Sequence, residues 1–249
     1  MESQLSQMRA MFRAFLVAMT CLLSLFLVAC DSDSDAGDDT ADENTSRSLR
    51  IVNAVAGSLS IGWELAGSDQ GPVEYGRASA AGAFIDGEKE LTFYQIDVNG
   101  DLEYLDLTYD YEVEGDSDVL LILYGALDDV RLELIEADDF DLDEGFGRVG
   151  AINFSTAGPA VDMYLTRDDE GIFSASPLTS IADSTFSGMI DLEDGEYRLR
   201  LTAIGDKTVV FDADTVDIRE DTNHFYIIMD FALDSDSVLV LEIQGDGLT

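Results

Sequence analysis

Asp116-Ser-Asp-Val-Leu-Leu-Ile-Leu123 and Asp221-Thr-Asn-His-Phe-Tyr-Ile-Ile228 share one pattern, a polar entry followed by a run that is apolar on both parities. Such runs, short and rich in branched and aromatic side chains, fit strands covered on both faces of a sheet. Around them the chain alternates instead. Leu59, Ile61 and Trp63 are spaced by two, as are Val130, Leu132 and Leu134, then Val161, Met163 and Leu165, and finally Tyr197, Leu199 and Leu201. A period of two places each set on one face of a half-buried strand. Asn99-Gly100, between two alternating stretches, reads as a tight hairpin turn. No convincing helical period follows Cys30, so the body is expected to be all-β.

The two halves of the chain echo each other. Arg50-Ile-Val-Asn-Ala54 reappears as Arg148-Val-Gly-Ala-Ile-Asn-Phe154, and Asp86-Gly87-Glu88 before Leu91-Thr-Phe93 reappears as Asp194-Gly195-Glu196 before Leu199-Arg-Leu201. Offsets of about 100 residues are too long for a solenoid and suit a duplicated domain. The expected organisation is two tandem β-sandwich domains of about seven strands each, over 49–137 and 148–249, joined by an acidic linker at 138–147.

The N-terminus has a different character. Arg9 and Arg13 precede an uncharged apolar run of 15 residues, Ala14–Val28. That length fits the core of a signal peptide and falls short of a spanning helix. The run ends in Leu27-Val28-Ala29-Cys30, which resembles the lipobox of bacterial lipoproteins. The resemblance implies a signal peptide over 1–29, cleavage after Ala29, and a diacylglycerol thioether on Cys30. Arg9 and Arg13 are not adjacent, which argues against a twin-arginine signal. Cys21 would leave with the signal peptide, so the mature chain would have one thiol and no internal disulfide. Residues 30–48 read as a flexible acidic tether, since 31–48 hold seven acids and no large apolar residue.

Charge narrows the partners. The chain carries 13 Lys+Arg against 52 Asp+Glu, a formal net charge of −39. Nearly all of it stays on the body, because residues 1–29 contain only Glu2, Arg9 and Arg13. Phosphate backbones would repel such a surface, so no nucleic-acid partner is expected. Anionic lipid headgroups would repel it too, and attachment to a membrane has to run through the lipid on Cys30. A surface of this kind favours solubility and work at high ionic strength.

Ser155-Thr-Ala-Gly-Pro-Ala-Val-Asp-Met-Tyr-Leu165, preceded by Ile152-Asn153 and followed by Gly195-Glu-Tyr-Arg-Leu199, resembles the bacterial domain-of-unknown-function family 4397. The first half departs from that motif: Gly57-Ser-Leu-Ser-Ile61 lacks both its proline and its aspartate. The resemblance implies an extracytoplasmic immunoglobulin-like sandwich, often in tandem and often on lipoproteins, and implies no activity.

Chemistry-bearing residues are sparse. His224 is the only histidine, and no Gly-x-Ser-x-Gly elbow accompanies it. It reads as a strand-end residue with a local hydrogen bond, and no enzyme is expected. One histidine and one acylated cysteine leave no His/Cys site for a transition metal. Asp97-Val-Asn-Gly-Asp101 begins like a calcium loop, but its glycine comes too early and Thr108 stands where a bidentate Glu belongs. Asp139, Asp141 and Asp143 alternate in the linker and would share one side of an extended segment, a candidate calcium site. Tyr104, Tyr109 and Tyr111 crowd one hairpin, with Trp63 nearby in sequence order. Packing is the default for them, and an exposed aromatic face for glycans or peptides is the alternative. The sequence therefore predicts a lipid-anchored envelope protein, exposed outside the cytoplasm, without cofactors and with a structural or binding role. Calcium-dependent adhesion or carbohydrate binding is the second reading, with a protein or glycan partner.

Overall fold

In a computed structural model the described residues are 47–84, 87–97, 99–113, 118–137, 142–167, 170–231 and 234–246. The expected signal segment, Cys30 and most of the expected tether lie outside them. The described residues form seventeen strands and no helix, and they belong to one compact unit.

Strand order shows the duplication directly. In the first copy, β1 (Arg47–Ala56), β4 (Arg77–Ala78), β8 (Asp118–Ala126) and β9 (Asp129–Ala137) make a sheet in the order β4-β1-β8-β9, with β5 (Gly82–Phe84) also on β1. A second sheet runs β3 (Ser68–Glu74), β2 (Ser60–Leu65), β6 (Gly87–Ile96), β7 (Leu102–Val113). The second copy repeats both. β13 (Phe186–Glu193), β10 (Phe146–Asn153), β16 (Thr222–Phe231) and β17 (Asp234–Asp246) form one sheet. β12 (Thr179–Ala182), β11 (Ala160–Thr166), β14 (Gly195–Ala203) and β15 (Val209–Ile218) form the other. In each copy the opening strand pairs in parallel with the penultimate one: Asn53 lies opposite Leu123, and Asn153 opposite Ile228. The copies hold nine and eight strands, more than the seven expected, because short edge strands escape a count based on apolar spacing.

Three apolar layers hold the four sheets together. Ile51, Val55, Leu121 and Leu123 pack on Ile61, Trp63, Leu91 and Phe93 in the first sandwich. Val149, Ala151, Tyr226 and Ile228 pack on Val161, Met163, Leu199 and Leu201 in the second. A third layer joins the copies: Val52, Ala54, Leu120 and Ile122 meet Ile152, Phe225, Ile227 and Met229. The doubly apolar runs now have a cause. In β8, Val119, Leu121 and Leu123 face one layer while Leu120 and Ile122 face the other, and β16 divides in the same way. Burying an aliphatic or aromatic side chain of this size contributes about 1.5–3 kcal/mol, so the shared layer is a major part of the stability.

The flanking sheets have one apolar face each, which accounts for their alternation. Leu59 breaks its own pattern. It precedes β2, in a loop, and is 64% exposed. Between the copies, β9 ends at Ala137 and β10 begins at Phe146, so the strand starts within the acidic stretch read as linker. Acids gather on exposed positions of the edge strands, as with Asp106 and Asp110 of β7 and Asp212, Asp214 and Asp217 of β15. Charges there discourage pairing with the edges of other molecules.

Candidate functional site

Two faces lie outside the three apolar layers: the outer face of β3-β2-β6-β7 and that of β12-β11-β14-β15. They occupy equivalent places in the two copies and are finished differently.

On the first, register aligns Pro72, Gly62, Tyr94 and Tyr104 in one row across four strands, and Asp69, Glu64, Thr92 and Thr108 in the next. Gly62 is required there, since a Cβ on it would fall 2.1 Å from the ring carbons of Tyr94. Tyr94 therefore lies down over the sheet. Its hydroxyl donates to Asp69 Oδ1 at 2.6 Å, and that of Tyr104 donates to Glu64 Oε1 at 2.7 Å. The two rings stand 5.7 Å apart, tilted by 60°. Burial and the bond to Asp69 push the Tyr94 phenol up to about 12. The bond to Glu64 raises that of Tyr104, and the Tyr94 hydroxyl, helped by the Gly71 amide, lowers Asp69. Both phenols therefore keep their protons near neutral pH, and Asp69 stays a carboxylate. Tyr104 is 58% exposed and Leu102 beside it 56%.

On the second face the chain supplies its own roof. The segment between β11 and β12 lays Ile172 and Ala175 against Tyr164. Lys207 places its ammonium 4.3 Å from the centre of the Tyr164 ring and donates to the Tyr164 hydroxyl and to Ala175 O. Arg200 donates to Thr166 Oγ1 and to Glu170 O beneath the same segment. Asp162, the aspartate of the family-like motif, accepts from Ser180 Oγ and from the Gly205 amide. Its role here is to tie β11 to β12 and to the β14–β15 turn.

The other residues singled out by sequence are distributed as follows. His224 is fully buried. Its Nε2 accepts from the Arg219 amide at 3.1 Å, so the proton sits on Nδ1 and is shared with Glu242 Oε1 at 3.0 Å. Burial works to raise the Glu242 carboxyl, but bonds from His224, Gln244 and Tyr226 outweigh it and leave the carboxyl lowered. The histidine is a strand-end anchor. Asp97 closes the β6–β7 hairpin: Oδ1 accepts from the amides of Asn99 and Asp101, both at 2.8 Å, and Oδ2 from Asn99 Nδ2 at 2.9 Å. Asp139 and Asp141 lie outside the described residues. Asp143 is exposed, and its carbonyl accepts from the Phe146 amide. Among the described residues no group of three or more His, Cys, Asp or Glu is placed to hold a metal ion.

Of the tyrosines expected to crowd one hairpin, Tyr104 faces outward and Tyr109 packs inward against the first core. The side chain of Tyr111 is outside the description. Trp63 is in the core at 4% exposure. Sequence reading missed Tyr94, Glu64 and Asp69, which complete the row around Tyr104. The available signal was Gly62 in mid-strand, which marks the close approach of another group.

No family model matches the chain, and no curated protein matches it. The architecture is that of an all-β protein made of two β-sandwiches of like topology. Among solved structures, the chain is similar to the fimbrial anchor protein Mfa2 from Porphyromonas gingivalis, at 13% identity over 81% of this chain and 98% of that one, with a TM-score of 0.25. It is similar also to a structure described as alpha-glucan binding by a streptococcal virulence factor, at 12% identity over 77% and 95% of the two chains, TM-score 0.24. Superposition this loose carries no functional argument.

Proposed function

We propose that this protein is an envelope lipoprotein, anchored through a lipid on Cys30, whose β body is displayed outside the cytoplasm as a non-catalytic binding module. The observation that carries the reading is Leu27-Val28-Ala29-Cys30 at the end of a 15-residue apolar run behind Arg9 and Arg13. Two or three acyl chains, at about 0.8 kcal/mol per buried methylene, give an anchor that does not dissociate. The 18 residues from Cys30 to Arg47 can reach at most about 60 Å. That span lets a strongly acidic body stand clear of anionic headgroups, beyond the Debye length of about 8 Å. The resemblance of the second half to family 4397 points the same way. The non-catalytic part of the reading is supported by the one histidine and the motif aspartate Asp162, both engaged in holding strands together.

Labelling cells with a fatty-acid analogue tests the anchor. Label is expected on the wild-type chain and absent from Cys30→Ser. Label retained by the variant, or a native protein with an unmodified first residue or an intact leader, overturns the reading.

A further inference from the structure

The second copy shows which chemistry the equivalent face accepts. There the chain places an apolar side chain, Ile172, and a lysine ammonium, that of Lys207, onto Tyr164, with the Arg200 guanidinium beside them. In the first copy β2 and β3 are joined through Ala66-Gly67 alone, so no long connection lies between those strands to cover the sheet. Strands β2, β3 and β7 contain no Lys or Arg. Their outer face carries carboxylates, Glu64 and Asp69, around an exposed ring and the exposed Leu102.

We propose that this open face docks a partner polypeptide through a segment bearing lysine or arginine next to apolar residues. The cation lies on the Tyr104 ring, flanked by Glu64 and Asp69, and the apolar neighbour lies on Leu102. A cation over a tyrosine face is attracted by the ring quadrupole, and nearby carboxylates strengthen the attraction. The phenol–carboxylate bonds hold the ring and both acids in place before the partner arrives, which lowers the ordering cost of binding. Opposite charge selects the partner: an acidic peptide or an anionic glycan would be repelled by this face. What the second copy provides from its own chain, the first takes from another molecule. The inference rests on the body being a binding module and names the partner chemistry and the place.

The test is equilibrium binding of a labelled acetyl-Lys-Leu-Lys-Leu-Lys amide to the full chain at about 0.15 M salt, where diffuse attraction is screened. Saturable binding is expected. It weakens about fivefold in Tyr104→Ala, the loss of one exposed cation–ring contact, and survives in Tyr104→Phe, which keeps the ring. Glu64→Gln and Asp69→Asn weaken it, while Glu196→Gln on the other outer sheet leaves it unchanged. Tyr104 is 58% exposed, so its replacement leaves the core intact, and a far-ultraviolet spectrum confirms folding of each variant. Equal weakening by Glu196→Gln, indifference to Tyr104→Ala, or Tyr104-dependent binding of a neutral glucan oligosaccharide in place of the peptide overturns the proposal. Absence of label from the wild-type chain would overturn the anchor alone and leave the peptide result standing, so the two failures are distinguishable.

Discussion

In the first copy the chain leaves its opening strand through Val55-Ala56-Gly57-Ser58, where Asn53 Oδ1 accepts from the Val55 amide and the Ser58 hydroxyl. In the second it leaves through Ser155-Thr156-Ala157-Gly158. Asn153 again takes the amide two residues on, but the Asp230 carboxylate also accepts from Ser155 Oγ, Thr156 Oγ1 and the amides of Thr156 and Ala157. The register puts Gly125 opposite Val55, in the place Asp230 takes beside Ser155. Gly125 has φ of +95°, and a Cβ there would fall 2.5 Å from Asp129 O at the β8–β9 turn. No side chain fits, so the first loop has to be held from within. The same duplicated frame thus closes one loop with an amide side chain alone and the other with a carboxylate in addition. The turn at the end of the neighbouring strand decides between them.

The largest effect belongs to the layer that joins the copies. Ile227→Ala, fully buried in that layer, should cost about 2–5 kcal/mol by chemical denaturation. Because the copies share this layer, the wild type should unfold in one transition. Two separate wild-type transitions would mean that each sandwich stands without the other. Asp230→Ala should cost about 2–3 kcal/mol, since two hydroxyls and two amides lose their charged acceptor. Gly125→Ala should cost about 1–3 kcal/mol through backbone strain and the clash with Asp129 O. An unperturbed Gly125→Ala would remove the reason for the difference between the loops.

Acid pH separates the copies further. Burial works to raise the Asp230 carboxyl, but bonds from Ala157, Ser155 and Thr156 hold it below its usual 3.8. A depressed folded value adds stability that is present above about pH 4 and lost as pH falls through that folded value. Thermal melts between pH 5 and pH 3 should therefore fall less steeply for Asp230→Asn than for wild type. Parallel curves would show that the carboxylate adds nothing beyond shape. Smallest is Ser58→Ala in the first loop, expected at about 1 kcal/mol for one neutral hydrogen bond. An equal cost from Ser58→Ala and Asp230→Ala would erase the distinction.

Much of the core could be read in advance because it follows from local spacing. Val161, Met163 and Leu165, and Tyr197, Leu199 and Leu201, all pack into the second core as their alternation requires. Asn53 and Asn153, which carry the echo between the halves, are both fully buried and do the same local work. The row of Tyr94, Tyr104, Glu64 and Asp69 was not legible, because it depends on which residues of four strands fall side by side, and a bulge between Thr92 and Tyr94 shifts that register. A one-residue slip would send every side chain beyond it to the other face.

Local spacing was enough for the class of the core strands, alternating or apolar on both parities, for the hairpin at Asn99-Gly100 and for the doubling of the unit. Those properties are encoded by neighbours along the chain. Long-range packing settles what covers the second face of β8 and β16, which loop receives a carboxylate, and which outer face stays open. Each of those depends on residues far apart in sequence, brought together by sheet register and by the stacking of one copy on the other.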